Sequence, residues 1–558
     1  MLVGLFGLVL ALAAFLAGYP SLMLARGSLS TGRFVNPGNL TLQNYAAVYL
    51  NPETYGLFAT TFLYAAEVAV VSVFLGYVLA LIAVRTNAPL ARHMSWLIFI
   101  PYALPSTLTA IAWTLLANPN TGFLNDLSRR LTGGTGTPFN IYSFAGMVFV
   151  ACSYSTSLAF TFLSAALHST DPSLEEAASM SGSNPVRTAI RISLPMARPA
   201  IISMLALLLI LGLESFDVPA FIGIPARIYV FTTQIFVQIG VKSPPDYGMA
   251  AAYGSLPLLL AVVLTFYYQR AIVAPERYAT ISGRGYRPRR VDLRGWRWVA
   301  TGFFLLVFGL GAGLPLLTLI VVSLAPSLTA ARTLALDSFS LQNYATIFRD
   351  TVAERAIRNT LTLAVLGASV AVAASFLIAF VLLRTRLRAR GVVEYVLFLP
   401  FALPSIVLAV GVLWGYVSFP ISVYGTLWIL GIGYVTKFLP YGLRSVSASL
   451  LQINRELEEA ARVSGAGLAT LLRRVVLPLA LPGLVAGWCL LVVVFMREFS
   501  MSLVLWSSGS EVVTVLFWDY WTNGRWGQLG ALGTLLTVAS LAIVFGVRRT
   551  ARLDAVAT

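Results

Sequence analysis

Twelve apolar runs, each more than 20 residues long, follow one another along the chain with only short polar segments between them. The hydrocarbon core of a bilayer is about 30 Å thick, and a helix of about 20 residues crosses it. A helix hydrogen-bonds its own backbone N–H and C=O groups to each other, which is required in a hydrocarbon core that contains no water. The sequence therefore predicts an all-α integral membrane protein with 12 transmembrane helices. The predicted spans lie near 2–25, 57–84, 95–117, 141–167, 199–222, 247–273, 298–325, 359–383, 393–417, 421–446, 483–506 and 526–547.

The composition excludes a soluble protein of this length. Hydrophobic residues make up 58% of the 558 residues and charged residues only 11%, whereas a soluble domain carries about 25% charge. No polar stretch is long enough for a soluble catalytic domain. The two cysteines, Cys152 and Cys489, lie in apolar runs without metal-binding spacing and support no disulfide prediction.

The chain repeats itself. Leu-Gln-Asn-Tyr-Ala at 42–46 returns at 341–345, and the Pro-x-Ala-Leu-Pro-Ser that begins at Pro101 returns at Pro400, both 299 residues later. Further along, the separation falls to 283, so the first half carries 16 extra residues, which we place in a loop at 118–140. Six spans is an even number, so the two copies insert the same way up. This predicts parallel repeats related by a pseudo-twofold axis along the membrane normal.

The repeat predicts three parts. The first transmembrane domain is expected at 1–273, a basic linker at 274–297 and the second transmembrane domain at 298–558. We interpret the linker as a cytoplasmic tether, with a regulatory or lipid-binding role as the alternative. The prolines of each Pro-x-Ala-Leu-Pro-Ser sequence are expected to bend the third span of its half.

The distribution of basic residues predicts the orientation. With the amino terminus inside, 24 of the 38 Lys and Arg residues fall on the inner side and 10 on the outer side, as the positive-inside rule requires. Both termini are then cytoplasmic. The net charge of +16 points to an anionic lipid surface and not to nucleic acid. No basic residue precedes the first span, so we interpret it as a retained helix, which leaves open a natural start upstream of Met1.

A polar segment follows the fourth span of each half. In the first copy Asp171 is suited to cap a helix, Pro172 to occupy its first position, and the following acids to complement its amino end. Gly182 is expected to end or bend that helix, with a short second helix before the next span. Such a short amphipathic helix at the membrane surface suits docking into a groove of another protein.

Both segments follow the pattern Glu-Ala-Ala-x3-Gly-x9-Ile-x-Leu-Pro, with Val475 replacing Ile in the second copy. This pattern resembles the signature of permease subunits of bacterial ABC importers, and the resemblance extends over nearly the whole chain as two fused domains of the type I importer fold. The matching positions are Glu176, Ala177, Ala178, Gly182, Leu194 and Pro195 in the first copy, and Glu459, Ala460, Ala461, Gly465, Leu477 and Pro478 in the second.

The resemblance implies that each segment is a coupling helix seated in a cleft of a cytoplasmic ATPase. Glu176 and Glu459 would make polar contacts there, and Gly182 and Gly465 would set the turn. An ATPase within this chain is excluded, because a P-loop needs Gly-Lys followed by Ser or Thr. Lys437 precedes Phe438, and the other lysine, Lys242, follows a valine. ATP and Mg are therefore expected on a partner ATPase homodimer, and no cofactor in this chain.

The fusion of two domains and the paired Pro-x-Ala-Leu-Pro-Ser sequences resemble the ferric-iron permease group, which includes thiamine permeases. Ferric iron is the expected cargo, and thiamine, polyamines and organic anions are the alternatives. The resemblance places the protein in a bacterial or archaeal inner membrane. An extracytoplasmic substrate-binding protein would dock on outer loops such as 118–140 and 223–246.

Charged residues inside apolar runs are candidates for the translocation pathway, because ionisable groups in a membrane are functional by default. Glu214 and Asp217 are three residues apart, which on a helix places them on one face. Glu214 corresponds to Arg497 in the second copy, and Glu498 follows it. We predict a polar cluster or ion pair near the outer gate; the alternative is a helix end that merely reaches the outer interface. Glu67 is a further candidate.

Lys437 and Tyr441 in the tenth span are weaker pathway candidates. His93 and His168 lie far apart without cysteine neighbours, so no metal site is predicted. A secondary transporter would need coupling-ion groups at the midplane and no ATPase, and a membrane enzyme would need a clustered nucleophile, base or metal. The Glu-Ala-Ala segments favour an importer that works by alternating access.

Overall fold

The computed structural model describes residues 2–32, 38–98, 100–101, 104–169, 173–272, 290–333, 335–385, 390–417, 419–420 and 422–557. Within these ranges the chain is built from helices, and the β-structure consists of two isolated bridges, Ser30 to Leu40 and Thr86 to Val291. The all-α architecture predicted from the apolar runs is confirmed. The expected linker at 274–297 lies largely outside the described residues, as do Asp171 and Pro172.

The helices of the first half are Gly4–Ser28, Gln43–Tyr49, Pro52–Arg85, Ala91–Leu97, Ser106–Ala117, Phe123–Thr132, Phe144–Ser169, Ser173–Met180, Pro185–Glu214, Phe231–Val241 and Tyr247–Ile272. Those of the second half are Trp296–Leu324, Leu328–Thr333, Gln342–Arg349, Thr351–Arg384, Arg390–Ala402, Ser405–Tyr416, Leu427–Gln452, Arg455–Val463, Leu468–Arg497, Ser500–Leu505, Val513–Thr522 and Trp526–Ala557. In the described part of the chain, eight helices are long and apolar enough to cross a membrane without interruption.

The third span of each half is broken at its second proline. In the second half the two segments, Gly391–Phe401 and Ser405–Tyr416, meet at 111°. Pro404 has φ −51° and ψ 138°, and Pro105 in the first half has φ −55° and ψ 135°. The ψ angle of each proline is extended and not helical, so each proline caps the amino end of the helix that restarts at the next residue, and a proline supplies no N–H to continue the preceding helix. The expected bend is therefore confirmed in the second half as a full break, and Ser106–Ala117 restarts after Pro105 in the same way.

The chain packs into two compact units that cross the sequence halves. One unit contains residues 1–51, 234–258 and 340–558, and the other contains 52–233 and 259–339. The first span of each half thus belongs to the unit that is otherwise built mainly from the opposite half. The sequence boundaries at 273 and 298 remain a prediction about the repeat, whereas the packing follows a different division.

Specific contacts hold the first span in its unit. The Tyr19 hydroxyl donates a hydrogen bond to the Gly415 carbonyl at 2.8 Å, and Gly27 lies so close to the Trp414 indole that a Cβ there would come within 2.5 Å of the ring. In the other unit, the end of the seventh span, Leu314–Leu324, packs on Ser106–Ala117. Close packing at small residues and hydrogen bonds between helices both favour association in lipid, where burial of apolar surface does not, because the tails are as apolar as the helices.

Candidate functional site

Two short helices carry the Glu-Ala-Ala sequences, and we call them the Glu-Ala-Ala helices: Ser173–Met180 and Arg455–Val463. The second begins at Asn454, whose side chain accepts a hydrogen bond from the Glu456 N–H at 3.3 Å. An asparagine at this position satisfies a backbone donor that the helix itself cannot pair.

Both Glu-Ala-Ala helices end in the same way. Gly182 and Gly465 have φ of 81° and 83°, a conformation that glycine adopts at little cost. The N–H of the residue after each glycine donates a hydrogen bond of 3.0 Å to the carbonyl of the second alanine of the motif, Ala178 or Ala461. This bond is the mark of a Schellman cap. Both glycines lie at the turn that ends each helix, and their part in coupling to an ATPase remains a prediction.

The Leu-Pro positions lie within the fifth span of each half. We expected a separate short helix before the span, but the helix is continuous over Pro185–Glu214 and over Leu468–Arg497. A five-residue π-helical turn directly precedes Leu194 in the first half and Leu477 in the second. Such a turn widens the helix, which makes room for the ring of the following proline and for the carbonyl that lacks a donor. The expectation of a separate helix was therefore wrong.

The acid before each motif glutamate makes a buried ion pair. Arg85 Nε lies 3.1 Å from Glu175 Oε2, with side-chain exposures of 6% and 14%. Arg384 Nε lies 2.7 Å from Glu458 Oε1, with exposures of 9% and 6%. The next residue, Glu176, is half-buried and Glu459 is exposed. The sequence analysis missed these pairs, although an Arg-Thr at the end of each second span and a Glu-Glu in each motif were available as a repeated signal.

Two of the pathway candidates lie at helix ends. Glu214 and Arg497 are the last residues of the two fifth-span helices, and Ser215 and Glu498 then turn extended. Glu214 and Asp217 therefore do not share a helix face, which corrects the sequence prediction. The gate cluster and the helix end at the outer interface both remain predictions for Glu214. Glu214 and Arg497 belong to different units, so an ion pair between them remains a prediction.

Asp217 lies at the amino end of the helix that restarts after the first-half break. Its carboxylate accepts hydrogen bonds from the Ser106 hydroxyl and, at 3.1 Å, from the Thr107 hydroxyl. A carboxylate is favourable there because the amino end of a helix carries partial positive charge. Glu498 accepts a hydrogen bond from the Met501 N–H at 2.9 Å. Glu67 is half-buried in the second span, and its pathway role remains a prediction.

At the corresponding break in the second half, a positively charged residue, Lys437, hydrogen-bonds backbone carbonyl groups. Its side chain is buried, and Nζ donates to the Phe401 carbonyl at 3.2 Å and to the Leu403 carbonyl. These carbonyls lie at the end of Arg390–Ala402, where the helix has no further N–H to offer them. A cation is favourable at this end. Lys437 therefore has a structural explanation that the sequence analysis did not supply.

Lys437→Met is expected to lower the stability of the protein by about 2 kcal/mol, because each carbonyl left buried without a donor costs about 1–3 kcal/mol and part of this cost is offset by removal of a buried charge. The chain's other lysine is a matched control. Lys242 is 44% exposed and pairs with Asp246 at 3.3 Å, and such surface pairs contribute at most about 1 kcal/mol. The measurement is thermal unfolding in detergent; equal midpoints for the two methionine variants would contradict the role of Lys437.

A charged cluster orders the loop between the third and fourth spans. Asp126, on the helix Phe123–Thr132, pairs with Arg332 and with Arg129. The hydrogen bond from the Arg332 guanidinium, together with Arg129, lowers the pKa of Asp126 to about 2. The cluster thus joins the loop at 118–140 to the segment after the seventh span.

The lowered pKa predicts a pH-dependent contribution to stability. The carboxylate stabilises the fold above its unfolded pKa of about 3.9, and the contribution falls as pH drops toward the folded value. Because the pair is near solvent, we expect about 1 kcal/mol near neutral pH and about half of it at pH 3. Unfolding of the native protein and of Asp126→Asn should therefore differ most at pH 6 and converge below pH 3. A difference that does not depend on pH would contradict the ion pair.

Comparison with known proteins identifies the family. The protein-family model described as "Binding-protein-dependent transport system inner membrane component" matches residues 72–275 and 371–550, so each match includes one Glu-Ala-Ala helix. The ferric transport system permease protein FbpB of Actinobacillus pleuropneumoniae is 26% identical over 485 residues, covering 86% of this chain and 68% of that protein.

Two other relatives show how far the similarity extends. The Fe(3+)-transport system permease protein FbpB 2 of Haemophilus influenzae is 24% identical over 413 residues, covering 73% of this chain and 76% of that protein. The spermidine/putrescine transport system permease protein PotC of the same species is 30% identical over 211 residues, covering 38% of this chain and 81% of that protein. The chain therefore belongs to the family of binding-protein-dependent transport system inner membrane components, as an ABC importer permease that fuses two such domains.

Proposed function

We propose that this chain forms the translocation pathway of an importer for ferric iron and is driven through its two Glu-Ala-Ala helices by a separate ATPase homodimer. The observation that carries the proposal is the matched geometry of the two helices. Each presents its Glu-Ala-Ala sequence next to a left-handed glycine, and each is held by a buried ion pair. Two equal helices suit two equal partner subunits.

The mechanism that fits this arrangement is alternating access. ATP and Mg would bind to the ATPase dimer, and its closure would move the two Glu-Ala-Ala helices. The spans would then open toward the outside to accept cargo from an extracytoplasmic binding protein, and hydrolysis would return them. In this proposal both termini and both Glu-Ala-Ala helices lie in the cytoplasm, and the chain itself catalyses no reaction.

The cargo assignment rests on two relatives named for ferric iron that align over most of this chain. A polyamine is the second candidate, because the relative named for spermidine and putrescine aligns with one half at 30% identity. The test is uptake of labelled ferric iron by cells with and without this chain, with spermidine and thiamine measured in parallel. Loss of iron uptake alone supports the proposal. Unchanged iron uptake with loss of spermidine or thiamine uptake would overturn the iron assignment and keep the importer.

A further inference from the structure

The ion pairs of Arg85 with Glu175 and of Arg384 with Glu458 occupy equivalent places in the two halves. Each arginine is the last residue of a second-span helix, and each glutamate lies on a Glu-Ala-Ala helix. All four side chains are at least 86% buried. The repeat has thus retained both partners of a contact between residues 90 positions apart in one half and 74 in the other.

Burial makes these pairs different from surface salt bridges. Exposed pairs are flexible, are screened by salt and contribute little. A buried pair fixes the relative position of its two elements, because separating the partners would leave an uncompensated charge away from water. Each Glu-Ala-Ala helix therefore cannot move relative to the second span of its half without a large energetic cost.

Further hydrogen bonds connect each ion pair, which forms a joint between its two helices, to another long helix of the same unit. In the second half, Arg384 also donates at 3.2 Å to the carbonyls of Leu450 and Ile453, at the end of the helix Leu427–Gln452. In the first half, the Ser193 hydroxyl donates to Glu175 at 2.8 Å, which ties the joint to the helix Pro185–Glu214. Each ion pair thus connects one Glu-Ala-Ala helix to two long helices of its unit.

We infer that Arg85 and Arg384 are positioning residues that make each Glu-Ala-Ala helix and the inner end of its second span move as one body, so that force applied to the helix reaches the spans. This inference rests on the proposed coupling to an ATPase. Glu176 and Glu459 would contact the partner, whereas the buried pair transmits the resulting movement. Loss of the pair should therefore leave ATPase binding intact and disconnect ATP hydrolysis from transport.

The test uses the complex purified through a tag on this chain and reconstituted into liposomes. Spin labels are placed at Val463, on the Glu-Ala-Ala helix, and at Ala373, in the half of the second span that ends at Arg384, both of which are exposed, with Cys152 and Cys489 replaced by serine. In the native background the distance between the labels should stay the same with and without ATP. In Arg384→Gln, ATP should shift or broaden that distance, while the ATPase still co-purifies and hydrolyses ATP.

Three further variants make the result specific. The charge exchange Arg384→Glu with Glu458→Arg should narrow the distance distribution and restore part of the labelled ferric iron uptake, because it re-forms the ion pair but not the bonds to the Leu450 and Ile453 carbonyls. Arg355→Gln removes another ion pair, with Glu511 at 2.9 Å, from the opposite end of the same second-span helix. It should leave the distance independent of ATP. If Arg384→Gln does not fold, Arg384→Lys keeps the charge but loses the carbonyl bonds, and it should show a smaller broadening.

The outcomes separate the inference from the proposed function. An unchanged distance in Arg384→Gln would overturn the joint, and loss of the ATPase from that variant would show that the pair serves docking instead; both leave the proposed function standing. If the native chain itself binds no ATPase, the proposed function fails, and the inference fails with it.

Discussion

Replacing Glu176 and Glu459 together by lysine is expected to abolish cargo uptake while the chain still inserts into the membrane. Both glutamates lie on the short helices that we propose to dock on the ATPase, outside the apolar spans. A lysine at each position reverses the charge that the partner meets, and like charges brought together at an interface cost several kcal/mol. Uptake should fall by at least about tenfold, which corresponds to about 1.4 kcal/mol.

The measurement compares uptake with the amount of ATPase that co-purifies, and both should fall together. A matched control is Glu53→Lys with Glu354→Lys, which reverses two exposed acids in the first turns of the second-span helices, at the ends remote from Arg85 and Arg384. This control should transport almost normally. Native uptake in the Glu176 and Glu459 double variant would remove these residues from the coupling contact.

Valine at Gly182 and Gly465 should disrupt the turns that follow the two Glu-Ala-Ala helices and reduce uptake severely. The φ of 81° and 83° is strongly unfavourable for a β-branched residue, and strain of this kind costs about 1–3 kcal/mol at each site. The cap bonds to Ala178 and Ala461 would weaken. We expect faster proteolysis after each helix in the purified protein and a loss of ATPase binding.

Gly467 provides the control for this effect, because it lies two residues beyond Gly465 and differs from it in backbone conformation. Neither glycine has a neighbour within 4 Å of where a Cβ would lie, but Gly467 has φ −67°. Gly467→Val should therefore lose much less uptake than Gly465→Val, since its cost is limited to a poorer cap at the start of the next helix. If the two single valine variants in this loop were equally impaired, the cause would be the bulk of the side chain and not the left-handed turn.

The sequence predicts those features that depend on local pattern. Apolar runs predict the helices, paired prolines predict the broken third spans, and the glycine after each Glu-Ala-Ala predicts its turn. Each of these follows from a few neighbouring residues. The end of the helix at Glu214 shows the limit of local prediction, because nothing in the apolar run around Glu214 marks the point where the helix stops.

Contacts between distant residues could not be predicted in the same way. The partners of Arg85 and Arg384 lie far along the chain, and a repeat shows only that a residue recurs, not what it touches. The placement of the first span is similar. Its apolar pattern is satisfied by any helix of the right shape, and it is side-chain contacts such as the fit of Gly27 against Trp414 and the bond of Tyr19 to Gly415 that select the opposite half.

The exchange of first spans between the halves has a consequence for biosynthesis. The Tyr19 hydroxyl and the carbonyl that accepts its hydrogen bond are 396 residues apart, and a ribosome adds about 5–20 residues per second. The first helix therefore waits in the bilayer for about 20–80 s before its binding surface is synthesised. During that interval its packing surface contacts lipid or the insertion machinery. Neither half can complete its packing while the other is missing.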